Sequence, residues 1–579
     1  MRTFQGIPVS GGSRVGIAVH YEAMPYTERV ERRTVTASEV PGERKRLADA
    51  VELALTGIET SRDALDADPQ VRSIFDVHRL LLENVRGEIE TAIDGGHSAE
   101  HAVATVLRRY ANRLAEVPDP MFAERRNDVL DVERRLLRAL AGQGDARPSG
   151  DGKTGVVVVA EDLTPAETAA LAGRRVAGIV LEHGGPTSHT AIIAKALSVP
   201  CVVGLRGIVA AVAPGEEVWV DGASGRVVVA PDSRARAEAG RRSAAWEADE
   251  KRLLAETGLP AETRDGHGIT LLANIELPLE VGAAVARGAA GIGLYRTEFL
   301  FDPARPPPSE EAHLTAYRDA LALVKPGRLT IRTFDFGSDK APPGGASAEG
   351  NPALGNRSLR WCFAHPEVFV PQLRALLRVA AEGDVRVMLP MVAGVEELRQ
   401  ARAMLADAAR ALAAERVPHA ESASVPVGVM IEVPAAVAVA DILAAEADFF
   451  SIGTNDLIQY GLAVDRTNER VAPLFRPSHP SVLRWIEHAV RAARSAPRPL
   501  PVTMCGEMGG EAAYTVLLLG LGVRELSLTP AVIPRVRHLV RTLTLARCRS
   551  VAAHCRRLAT ADEVDAFLSA ALAAEVATA

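Results

Sequence analysis

Aromatic residues are scarce. Phe, Trp and Tyr make up 4% of the 579 residues, so Leu, Val, Ile and Ala must fill the interior of a chain that is 47% hydrophobic. Cysteine is rarer still: Cys201, Cys362, Cys505, Cys548 and Cys555 are widely spaced, odd in number and without a CxxC pair. That fits reduced thiols better than a disulfide framework or a thiolate zinc site. No apolar run approaches the ~18 residues that would span a bilayer. The opening Met1-Arg2-Thr3-Phe4-Gln5-Gly6 has no apolar secretion core. These two absences predict a cytoplasmic protein without membrane insertion. There is no excess of positive charge either. Lys and Arg number 66 against 73 Asp and Glu, a net charge of −7, which gives no electrostatic footprint for nucleic acid.

The length suggests several domains, at roughly 100–200 residues each with a large barrel counting as one. Residues 1–20 read as short strands separated by glycine turns. From about Ser38 to Leu140 the periodicity is helical, with many charge pairs at i,i+4. Residues 142–150 form a Gly/Pro/Ser linker, and Val156-Val157-Val158-Val159 opens a run of alternating strand and helix signals that ends near Val229. The pattern predicts an α/β domain from residues 1–20 and 146–230, with a helical bundle of residues 21–145 inserted into it. Residues 231–262 read as a linker helix. Over 263–579, eight apolar strand candidates recur between helical stretches: 269–275, 290–295, 329–335, 385–391, 426–432, 447–453, 500–506 and 523–528. Eight βα units in that length predict a TIM-like (β/α)8 barrel.

Chemistry concentrates in two places. Gly184-Gly185-Pro186-Thr187-Ser188-His189-Thr190 sets one histidine at a helix start, behind a glycine pair and between two hydroxyls. Free N–H groups and the positive dipole end at such a start suit a phosphoryl group. Neutral imidazole there is a competent nucleophile. The second place is the barrel mouth, where functional groups belong at the C-terminal strand ends. Arg296, Arg332, Glu432, Asn455, Asp456 and Cys505 all fall there, and Arg466 follows in Ala463-Val464-Asp465-Arg466. Arginine forks suit phosphate and carboxylate oxygens. Glu432 and Asp456 suit Mg²⁺, which takes one or two carboxylates and completes its shell with substrate oxygens and water. Cys505 can serve as a proton donor.

Taken in order, GGPTSHTAIIA (184–194), GLYRTEFLF (293–301), NPALGNRSLR (351–360), DFFSIGTND (448–456) and AVDR (463–466) resemble enzyme I of the bacterial phosphoenolpyruvate:sugar phosphotransferase system. The resemblance runs over nearly the whole chain. It implies a swivelling phosphohistidine domain and a barrel that binds phosphoenolpyruvate and dimerises. His189 would take the phosphoryl group and pass it to the phosphocarrier protein HPr, with release of pyruvate. Arg296, Arg332 and Arg466 would bind the substrate phosphate, Asn455 its carboxylate, and Asp456 would serve both substrate and metal. Glu432 and Asp456 would hold Mg²⁺, and Cys505 would protonate the enolpyruvate carbon. The stretch 75–83 matches the helix that docks HPr. Pro186, Val77, Ile458 and Gly461 depart from the commonest pattern, and none is a proposed chemical residue.

Two other readings remain open at this point. A pyruvate,phosphate dikinase or phosphoenolpyruvate synthase shares the histidine and barrel but needs an ATP-grasp domain. Residues 21–145 are too short for one, read as helical and have no Gly-rich nucleotide loop. A non-catalytic regulator that senses phosphoenolpyruvate would not need nucleophile, arginines, metal carboxylates and proton donor together.

Overall fold

The computed structural model describes residues 1–20, 33–36, 38–64, 82, 85–115, 129, 132–133, 136–137, 139–140, 155–163, 171, 176–184, 194, 199–276, 278, 280–300, 307–336, 351–466, 468 and 470–578. His189 with its neighbouring hydroxyls, and the 75–83 stretch apart from Leu82, lie outside them. The chain divides into two compact units, Met1–Glu250 and Lys251–Ala579.

In the first unit, strands from both ends of the segment join one eight-stranded sheet. They are β1 (Arg2–Gln5), β2 (Ile7–Ser10), β3 (Ser13–His20), β4 (Val156–Ala160), β5 (Val176–Leu181), β6 (Cys201–Val203), β7 (Glu217–Asp221) and β8 (Arg226–Val229), in the order β1-β8-β7-β3-β4-β5-β6-β2. The centre, β3 to β6, is parallel. Every residue of β4 and β5 is buried, which is why both read as unbroken Val-rich runs rather than alternating ones. Gly184 turns the chain after β5 at φ +105°, a conformation that favours glycine. Helices Val40–Ala64 and Ala99–Ala115 belong to a separate apolar cluster that includes Leu47, Val51, Ile89, Val103, Leu107 and Leu136.

The second unit is a closed barrel in which every neighbouring pair of strands is parallel. Its strands are β9 (Thr270–Ile275), β10 (Gly291–Tyr295), β11 (Arg328–Arg332), β12 (Val385–Leu389), β13 (Val427–Ile431), β14 (Phe450–Ile452), β15 (Val502–Met504) and β16 (Glu525–Leu528). Leu294, Met388, Met430, Phe449 and Cys505 form a small buried cluster of their own. Helix starts follow local rules. Ser309 Oγ accepts the Ala312 N–H at 3.2 Å to cap Glu310–Val324, and Pro366, Pro434 and Pro480 occupy first helical positions, where a missing N–H costs nothing.

The strands are shorter than the apolar runs that announced them. The run 329–335, for example, continues past the end of β11 at Arg332. Its last residues leave the ladder to build the mouth, where side-chain partners replace strand pairing. No helix among the described residues is long and apolar enough to cross a membrane.

Candidate active site

The C-terminal ends of the barrel strands carry a chain of alternating charges. Arg332, the last residue of β11, is buried with its guanidinium 3.1 Å from Glu298 Oε2 and 3.0 Å from Asp335 Oδ2. Asp335 in turn accepts from Arg357 Nη2 at 3.0 Å, and the same nitrogen lies 3.7 Å from Asp456 Oδ2. Arg357 Nη1 donates to Tyr460 Oη at 2.9 Å. Burial opposes the charge on Arg332, but Glu298, Asp335 and Glu432 outweigh it and hold the guanidinium above its ordinary pKa. Burial likewise opposes ionisation of Asp335, and Arg332 and Arg357 reverse that to bring its pKa down to about 2.

Glu432 follows β13 and behaves in the opposite way. Burial, then the carboxylates of Asp456 and Asp335, push its pKa up to about 8. One oxygen, Oε1, accepts the N–H of Met391 at 2.7 Å, from a backbone held at φ +54°. The other lies 2.9 Å from where a Cβ would stand on Gly453, so a side chain at that position would press on the carboxyl. A carboxyl that burial and its neighbours' charge keep protonated is a fit for a divalent cation, which would relieve the repulsion. Among the described residues no three His, Cys, Asp or Glu side chains are grouped to enclose a metal unaided. The donor set therefore suits an ion that keeps water and substrate oxygens in its shell.

Cys505 follows β15. Its thiol is buried and lies 3.4 Å from the carbonyl oxygen of Ile452. Burial first, with the charge of Glu432 adding to it, raises its pKa to about 11. At neutral pH it is a thiol with a proton to give. The next residue must be glycine, because a Cβ on Gly506 would stand 1.8 Å from Thr454 Oγ1.

The other expected residues are less tightly gathered. Arg296 Nη1 is paired with Glu276 Oε1 at 2.6 Å and remains near enough to Cys505 to act on its ionisation. Asn455 faces Glu507, giving Nδ2 to Oε1 and accepting the Glu507 N–H on Oδ1, both at 3.3 Å. Arg466 is exposed, its backbone N–H 3.5 Å from Gln459 Oε1, and its side chain is not drawn into the alternating chain of charges.

Sequence reasoning assigned no role to Glu298, Asp335, Arg357 or Tyr460. The first three lie within stretches singled out above, but nothing in a linear sequence pairs 298 with 335 or 357 with 460. Gln372 was missed altogether. It is fully buried in the helix Pro366–Ala380, accepts the Phe334 N–H on Oε1 at 3.2 Å and donates to Thr297 Oγ1 and Tyr317 Oη, both at 3.1 Å. Thr297 Oγ1 then donates to the carbonyl of Arg332 at 2.9 Å. A polar residue on the buried face of an amphipathic helix is the one signal that could have found it. Gln372→Leu removes the side-chain acceptor of the Phe334 N–H and should cost about 1–3 kcal/mol. Chemical denaturation of the barrel checks this, and an unchanged midpoint would mean that the amide is dispensable.

Residues 250–545 match the PEP-binding domain of the PEP-utilising enzymes, residues 152–225 their mobile domain and residues 5–125 their N-terminal domain. The phosphoenolpyruvate-protein phosphotransferase of Cupriavidus necator is 38% identical over 577 residues, covering 96% of this chain and 94% of that one. That of Geobacillus stearothermophilus is 37% identical over 576 residues, covering 98% of each. Among solved structures, an NMR structure of an Enzyme I protein (nEIt) aligns with 42% of this chain and 99% of its own at 29% identity, with a TM-score of 0.36. The chain belongs to the phosphoenolpyruvate-protein phosphotransferases, within the PEP-utilising enzymes.

Proposed function

We propose that the chain transfers the phosphoryl group of phosphoenolpyruvate to its own His189 and from there to a histidine of HPr, releasing pyruvate, as the first step of sugar uptake in the cytoplasm. The observation that carries this reading is the buried, charge-alternating set Arg332, Glu298, Asp335, Arg357, Asp456 and Glu432 at the barrel mouth of a chain matched to this family from end to end. Phosphoryl transfer runs through a loose transition state, so the protein's task is in-line placement and charge stabilisation. Arg332, Arg296 and Arg466 take the phosphate, Asn455 the carboxylate, and Asp456 faces both substrate and cation. Mg²⁺ held by Glu432 and Asp456 supplies charge neutralisation when bound.

The bond changes balance with residues of this chain. The imidazole nitrogen of His189 forms a bond to phosphorus as the bond from phosphorus to the enol oxygen breaks. The enolpyruvate left behind gains a proton at carbon from the Cys505 thiol, giving pyruvate, and water reprotonates the thiolate. A thiol raised to about 11 gives up its proton readily only to a basic carbanion-like carbon, which is what the enolate presents. Cys505→Ala should therefore depress turnover with phosphoenolpyruvate while sparing phosphate exchange between His189 and HPr, which protonates no carbon. Equal damage to both half-reactions would make Cys505 a packing residue.

The pKa of Glu432 sets a pH dependence. A cation competes with the proton for this carboxyl, so its affinity should rise by up to about tenfold per pH unit until the pH nears 8, and level off above it. Glu432→Gln should flatten that rise, as read from Mg²⁺ titration of turnover at pH 6, 7 and 8. An unchanged slope in the variant would place the cation elsewhere. The reading as a whole is tested by pyruvate release from phosphoenolpyruvate with HPr present and ATP omitted. Release that depends on ATP instead would favour a dikinase-like enzyme, and no release at all a sensor. A homodimer through the barrel is part of the proposal, checked by the mass in solution.

A further inference from the structure

A cavity of about 420 Å³ opens at the end of the barrel opposite the charged mouth. It lies where β9 and β10 begin, and its walls include Leu259, Pro260, Ile269, Leu271, Ala290 and Arg537. Arg537 is 6% exposed, and its Nε is buried without an acceptor. Its Nη1 and Nη2 donate to the backbone carbonyls of Leu259 and Gly288, and among the described residues it has no carboxylate partner. Burial pulls its pKa down, and Arg541 nearby pulls it down further. No Asp or Glu occurs from residue 526 to 561, a stretch with seven arginines.

Buried guanidinium groups are nearly always paired with an anion, because an uncompensated buried charge is costly. Here the space beside the charge is large enough for a small molecule, and its walls combine apolar side chains with Thr257 and Thr270. We propose that this cavity binds a small organic monocarboxylate with an apolar body, Arg537 taking the carboxylate. One fixed cation matches one negative charge, and the apolar side chains of Leu259, Pro260, Ile269 and Leu271 suit the body of such a molecule. The occupant would also bear on the turn after the helix Ser233–Ala255. Arg537 and Arg541 already hold that turn to the barrel through the carbonyls of Leu259 and Pro260.

Hexanoate is the probe, titrated against the full chain by ligand-observed NMR, with neutral hexanamide as the isosteric comparison. Hexanoate should bind saturably and hexanamide at least about tenfold more weakly, the loss expected for one charge-assisted contact. Arg537→Gln should weaken hexanoate to a similar degree. Because Arg537 also braces the 257–261 turn, Ala290→Phe is the second variant: position 290 is exposed at the rim, so the ring fills the cavity with Arg537 in place. This variant should lose hexanoate while keeping its melting temperature and its turnover of phosphoenolpyruvate. Saturating phosphoenolpyruvate should leave hexanoate bound to the parent chain. The proposal is overturned by non-saturable hexanoate binding, by hexanamide binding equally well, by undiminished affinity in Ala290→Phe, or by displacement with phosphoenolpyruvate.

Discussion

Arg332→Ala should slow phosphoryl transfer from phosphoenolpyruvate by two orders of magnitude or more and destabilise the barrel by about 3–5 kcal/mol. The two losses have different origins. The stability loss arises because the buried Glu298 loses its guanidinium and Asp335 keeps only Arg357. The rate loss arises because a positive group fixed at the site of developing charge is worth roughly 3–4 kcal/mol of barrier. Arg332→Lys separates them: it restores a charge between the two carboxylates but not the two-pronged donor. Its melting transition should recover most of the way while turnover stays low. Denaturant midpoints of the barrel transition and initial rates of pyruvate release measure both. An Arg332→Ala protein with wild-type stability and turnover would remove Arg332 from the site.

His189→Ala should abolish labelling of the protein by phosphoenolpyruvate and end delivery to HPr. Of the 14 histidines, only His189 follows a glycine pair and stands between two hydroxyl residues, Ser188 and Thr190. Two others show why their type alone is insufficient. His313 is buried, with its pKa pushed down to about 3 by burial, and is hydrogen-bonded to Tyr317 at 3.2 Å. His538 lies 3.0 Å from Glu256 and braces the end of the connecting helix. The variant should still bind phosphoenolpyruvate, since the residues proposed to bind it are elsewhere in the chain. Acid-labile label persisting on His189→Ala would move the nucleophile to another residue.

The barrel was legible because each strand is an apolar run, and such runs recur eight times at βα spacing. Arg332, Glu432, Asp456 and Cys505 were legible because the fold sends functional groups to one end of those runs. What could not be read was who holds whom. Glu298 and Asp335 flank the same guanidinium from different loops, and Arg357 reaches Tyr460 across 103 residues of chain. Such pairings are properties of closure, not of spacing. Strand ends were overrun for the same reason: the runs stay apolar after the ladder has stopped, because the mouth is itself buried. Arg466, expected among the converging groups, is exposed instead; a motif fixes its identity and place in the chain but not the direction of its side chain.

The alternating chain of charges makes substrate binding an exchange rather than the filling of a vacancy. Arg332 and Arg357 are already engaged by Glu298, Asp335 and Asp456, so even with Glu432 protonated there are more carboxylates than guanidiniums. An incoming anion must compete with internal carboxylates for each arginine, as a counter-ion competes on a charged resin. A singly charged molecule has little with which to win that competition. A highly charged one accompanied by a divalent counter-ion can, because the cation takes up the carboxylates it dislodges. On the proposed binding mode, discrimination among anions should then come from charge number as much as from shape.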